Sequence, residues 1–153
     1  MSLSITPARS GRLEAIWIKR AHRRPTESVG KARMLAGFGL EGNVWSGNHR
    51  QVTLLEQEKW DVLMAYVGAI ADPARRRANL MVSGIKLEKT RGRKLRIGSV
   101  ELEIGGETTP CERMDEVALG LQSAMRTSWG GGAFARVLTD GEITVGDVVE
   151  WVP

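Results

Sequence analysis

The chain has 153 residues, 42% hydrophobic and 26% charged, with a net charge of +4 at pH 7. That length predicts one domain over residues 1–153 with a core between about 12 and 151, and the composition excludes a disordered or collagen-like chain. No apolar run reaches the roughly 18–20 residues of a spanning helix, and no basic stretch leads into an apolar segment and cleavage site, so a cytoplasmic protein without membrane contact is expected. Met1, Ser2 and Leu3 are read as a remnant of expression and set aside.

The first element is "RLEAIWIK", residues 12–19, where Leu13, Ala15 and Trp17 alternate with charged and branched neighbours as in a strand. The next 24 residues, 20–43, are polar, glycine-rich and aperiodic, and read as a long loop with some partial structure. "QVTLL" at 51–55 is a short buried strand. It runs into "EQEKWDVLMAYVG", where Trp60, Leu63, Met64 and Val67 fall at helical spacing and Gly68 supplies the stop. "ANLMVSGI" at 78–85 is another strand, and "RKLRIGSVELEIGG" gives a hairpin around Gly98-Ser99. A second helix is predicted over 115–129, with Val117, Leu121, Ala124 and Met125 on one face. The remainder, from Gly130 to Trp151, holds three strands separated by the Asp140-Gly141 and Gly146-Asp147 turns. Short strands, tight turns and two helices together predict a mainly β barrel with peripheral helices.

The pI near 9.6 favours anionic partners. The basic residues are spread among "IKRAHRR", "ARRR" and "KTRGRKLR", and aromatics are only 5% of the chain, so stacking platforms for nucleic acid are few. Small phosphorylated ligands fit at least as well, and no specific nucleic acid is expected. "GFGLEG" at 37–42 matches G-x-G-x-x-G, yet it lacks the strand before it and the helix opening within it that a dinucleotide fingerprint requires. Zinc takes three or four ligands, whereas the chain offers His22, His49 and Cys111 besides scattered carboxylates. No G-x-S-x-G elbow occurs, and no third member of a cysteine-histidine hydrolytic set is visible.

"ARRRANL" at 74–80 is either a solvated turn or a set of guanidinium forks for phosphate, to which "KTRGRK" and the His49-Arg50 pair of "GNHRQ" could add. "SWGGGAFARV" places three glycines before a strand that carries Arg136, which suits a tight entry as well as an anion held by backbone N–H groups. Cys111, the only cysteine, excludes an internal disulfide. Its neighbour Pro110 makes a rigid corner, while Arg113 and a helix start nearby are the settings in which thiols become reactive. Buried filler and working thiol both remain open on these grounds.

The stretches "GLEGN", "RQVTLLEQE", "RRANLMVSGIKL", "LRIGSVELEI", "TPCERMDE" and "GGGAFARVLTDGEITVGDVVEW" occur in the order found in the MOSC domain, the family named after the C-terminal domain of molybdenum-cofactor sulfurases, which the chain resembles from about residue 12 to 151. The resemblance implies a closed MOSC-type β-barrel and Cys111 as the functional position, ligating the metal of molybdenum cofactor as a thiolate and acting in catalysis. Arg77, Asn79, Arg113 and Arg136 are the candidates for the cofactor's polar shell, beside Gly42, Asn43, His49 and Arg50. The family's glycine-aspartate pair stands here as Gly42-Asn43, so that position has lost a charge. The implied functions are the catalytic part of a reductase of N-hydroxylated compounds, working with a separate redox partner, or a sulfur carrier loaded as a persulfide on Cys111 by a cysteine desulfurase. A module that only binds an anionic ligand is the third. No pyridoxal phosphate is expected, because the aminotransferase-like domain of the fused sulfurases is lacking.

Overall fold

The computed structural model describes residues 10–153; Met1, Ser2 and Leu3 lie outside the described residues. The chain runs through strands β1 (Ser10–Ile18), β2 (Glu27–Val29), β3 (Lys31–Leu35), β4 (Gly39–Leu40) and β5 (Val52–Glu56), then helix α1 (Gln57–Val67) and a 3-10 turn, Pro73–Arg76. It continues with β6 (Leu80–Ser83), β7 (Lys94–Ile97), β8 (Val100–Glu107), helices α2 (Arg113–Val117) and α3 (Leu121–Met125), and β9 (Ala133–Val137), β10 (Gly141–Thr144) and β11 (Val148–Trp151). Seven of the strands close on themselves in the order β11-β7-β8-β9-β5-β6-β1, with β1 returning to β11. This is the mainly β closed barrel expected. β5 and β6 form its one parallel pair, joined by the crossover that contains α1.

The barrel interior is filled by aliphatic side chains from every wall, among them Leu13, Ile16, Leu54, Leu80, Val82, Leu95, Leu102, Ile104, Ala135 and Val149. One part of the strand reading needs correction. A register shift between Leu13 and Ala15 sends Leu13, Ile16 and Ile18 inward, while Trp17 leaves for a second cluster with Leu55, Trp60, Leu63, Met64, Leu121 and Met125. The bulge thus lets one strand serve two cores, the barrel and the helical layer outside it.

α1 ends as its sequence predicts, with Gly68 left-handed at φ 70° and its N–H donating to the Ala65 carbonyl. The predicted helix over 115–129 is two short ones, because Gly120 at φ 88° turns the chain between them. Leu121 and Met125 are buried and Val117 and Ala124 half-buried against the same cluster, so the apolar face survives the break. The stretch 20–43 contains β2, β3 and β4 in place of a continuous loop: β2 extends β1, and β3 pairs with β10 far down the chain.

Candidate functional site

The parallel β5–β6 pair sets Leu54 beside Leu80, and the antiparallel β5–β9 pair sets it beside Ala133. Ile16 of β1 faces Leu80 and Glu107 of β8 faces Ala133, so the C-terminal ends of β1 and β8 and the N-terminal ends of β6 and β9 gather around the middle of β5. Lys19 follows β1, Thr53 lies in β5, Arg75, Arg76 and Arg77 precede β6, Thr108 follows β8, and Gly131 precedes β9; all line one cleft of about 870 Å³. The start of α2 closes the rim with Cys111, Arg113 and Met114, while Arg23 and Arg50 stand on the opposite side. A volume of this size holds a small molecule or cofactor.

Cys111 is exposed at this cleft, which removes the buried-filler alternative. Arg76 feels Cys111 directly: burial lowers the guanidinium's pKa, Cys111 raises it and Arg50 lowers it again. Its Nε donates to the Gly131 carbonyl at 3.2 Å and its Nη1 sits 3.9 Å from Met114 Sδ. The two carboxylates at the cleft do not neutralise the cations. Asp72 caps the 3-10 turn by accepting from Ala74 N, and Glu116 meets Arg75 through its backbone carbonyl at 3.4 Å.

The pKa of Lys19 is lowered, first by burial and then by Arg77, Arg50 and Arg76. A lysine so placed binds fewer protons folded than unfolded, so stability grows as pH rises toward its ordinary value of 10.5 and is lost as pH falls from there. Lys19→Met is therefore expected to raise the melting temperature at pH 7 and to flatten that alkaline rise. A lower melting temperature in the variant would show that the lysine charge is compensated.

The residues singled out in the sequence separate into groups. Arg77, Arg113 and Arg50 line the cleft with Cys111. Arg77 also donates to the carbonyls of His22 and Arg24, and so clamps the loop after β1. Asn79 and Asn43 sit behind the cleft as a buried pair: Asn79 Nδ2 donates to Asn43 Oδ1 at 3.0 Å, and the same oxygen accepts from Lys19 N at 2.8 Å. The amide at 43 is a structural clamp on the end of β1, and Gly42 turns beside it at φ 86°. Arg136 points away from the barrel interior and pairs with Glu103 at 2.6 Å, and His49 is exposed in the loop before β5; neither lines the cleft. Strand alternation explains Arg136, since Ala135 and Val137 take the inward positions.

Sequence reasoning missed Lys19, Arg23, Thr53 and Thr108 as cleft residues, and took Arg75 and Arg76 only as members of the basic run. A charge at the end of an apolar strand, as at Lys19, was a readable signal.

A family model described as the MOSC domain matches residues 41–150. The fold is similar to that of the YuaD protein from Bacillus subtilis, with 22% identity, 93% of this chain and 95% of that chain covered, and a TM-score of 0.81. It is also similar to YiiM from Escherichia coli, with 18% identity, 93% and 70% covered and a TM-score of 0.70. YiiM from Geobacillus stearothermophilus gives 13% identity, 94% and 75% covered and a TM-score of 0.73. No curated relative matches the sequence.

Proposed function

The chain belongs to the MOSC domain family, and on that premise we propose that its cleft binds molybdenum cofactor, with Cys111 as the thiolate ligand, as the catalytic part of a reductase of N-hydroxylated compounds. One observation carries this reading: the only thiol of the chain is exposed in a cleft ringed by arginines from four separate segments. Among the described residues no three His, Cys, Asp or Glu side chains converge to hold a metal ion. A metal at Cys111 would therefore need further ligands of its own, as the sulfur-rich pterin provides, and a soft thiolate matches such a centre.

When bound, the cofactor would supply a metal that changes oxidation state as oxygen leaves the substrate. Cys111 would hold the metal, and Arg50, Arg75 and Arg113 would hold the cofactor's phosphate through charge-assisted hydrogen bonds. Electrons would come from a separate redox partner. The exposure of Cys111 favours one further reading, in which a cysteine desulfurase loads the thiol as a persulfide and the chain hands the sulfur on.

The test is molybdenum content and intact mass of protein made in a host with the cofactor pathway and in one blocked in it. Near-stoichiometric molybdenum from the first host alone is the expected result. Metal-free protein carrying one extra sulfur would support the carrier, and neither would leave an anion-binding module.

A further inference from the structure

Among the described residues two buried polar side-chain atoms have no hydrogen-bond partner in the protein, Arg76 Nη2 and Thr108 Oγ1. Both residues line the cleft at Cys111, and Thr108 is only 6% exposed. Buried donors are paired in folded proteins, so two orphans at one place point to an acceptor from outside the chain. Gly131 packs against both residues, and nothing larger fits there. A Cβ there would lie 3.1 Å from Arg76 Nη2 and 3.5 Å from Pro110 Cδ, and would run into the Thr108 carbonyl.

We propose that Arg76 and Thr108 form a carboxylate subsite beside Cys111, so that molecules reacting at the centre this residue would hold carry a carboxylate next to the reacting atom. One guanidinium N–H and one hydroxyl match the two oxygens of a carboxylate. A phosphate, with three terminal oxygens, is better served by the more numerous arginines of the outer cleft. The inference names a substrate class for the site proposed above and rests on that reading for its bearing on catalysis; the subsite itself is tested without the metal.

The probe is alkylation of Cys111 in the metal-free full chain by iodoacetate, an anion, and by neutral iodoacetamide, each rate normalised to glutathione. Wild type is expected to favour iodoacetate by about tenfold, the order of one hydrogen bond to a charged group, with saturation and with competition by acetate but not by acetamide. Chloride at high concentration removes the part due to diffuse positive charge. Thr108→Val, which leaves the charge unchanged, is expected to abolish the residual preference without slowing iodoacetamide, and Thr108→Ser to retain it. Absence of saturation, or a preference that Thr108→Val does not touch, would overturn the subsite. So would Thr108-dependent protection by inorganic phosphate where acetate gives none, because the niche would then take a phosphate. The acetate competition uses wild type alone and stands if the valine variant does not fold. Molybdenum analysis fails or succeeds separately, so a protein without metal that still prefers iodoacetate would sink the cofactor reading and leave the subsite.

Discussion

Cys111→Ser is expected to lower molybdenum retention by more than about a hundredfold while changing stability by less than about 0.5 kcal/mol. The first magnitude follows from ligand chemistry. Loss of an outer partner of a metal ligand already weakens binding about 10- to 100-fold, and a serine hydroxyl is a hard donor that stays protonated at neutral pH beside a centre held by sulfur. The second follows from position: Cys111 is exposed and packs into neither core, so its sulfur supports no buried surface. Metal analysis and a urea melt on the same preparation separate the two quantities. Molybdenum retained by the serine variant would remove Cys111 as a ligand, and an unstable variant would mean the thiol has a structural role its exposure does not show.

The elements legible in the sequence were those whose information is local. Trp60, Leu63 and Met64 at helical spacing announced α1, and Gly98-Ser99 announced the β7–β8 hairpin. β2, β3 and β4 escaped because they are two to five residues long: β2 and β3 take partners from β1 and β10, and β4 is only two residues paired with β3. The bulge in β1 escaped for a related reason. Its cause is tertiary, since Trp17 leaves the barrel only because α1 and α3 build a second core outside it.

The site was legible at its centre and obscure at its walls. Cys111 stood out as the single thiol after a proline, and "ARRR" as a dense basic run. Which arginine of that run mattered was not readable. Arg77, the one singled out, donates to the His22 and Arg24 carbonyls, whereas Arg76 faces Cys111 with an unpartnered Nη2. The difference is set by Arg77 itself, which ends the 3-10 turn in the left-handed region at φ 63° and thereby sends successive side chains to different neighbours. Thr108 carried no signal and Gly131 stood out only as one of three successive glycines, because each matters through the β8–β9 pairing that brings the end of β8 to the start of β9.

Asn79→Ala is expected to destabilise the fold by about 3 kcal/mol, the sum of two or so buried groups left without partners. Asn79 is 3% exposed and stands where β1, β5 and the turn before β6 meet. Its Oδ1 accepts from Thr53 N at 3.0 Å, and its Nδ2 donates to Trp17 O at 3.3 Å and to Asn43 Oδ1 at 3.0 Å. Alanine removes all three at once. Asn79→Asp separates loss of donors from loss of side chain: it keeps the bond from Thr53 N but sets a carboxylate oxygen against Asn43 Oδ1, an acceptor facing an acceptor in a buried place, and should be at least as harmful as alanine. Urea midpoints with an unchanged slope are the measurement. Because Asn79 holds Asn43, which in turn holds the Lys19 backbone, the alanine variant should also bind anions in the cleft less well, through displacement of Lys19. A stable Asn79→Ala protein with weakened anion binding would instead make Asn79 a ligand contact and not the clamp described here.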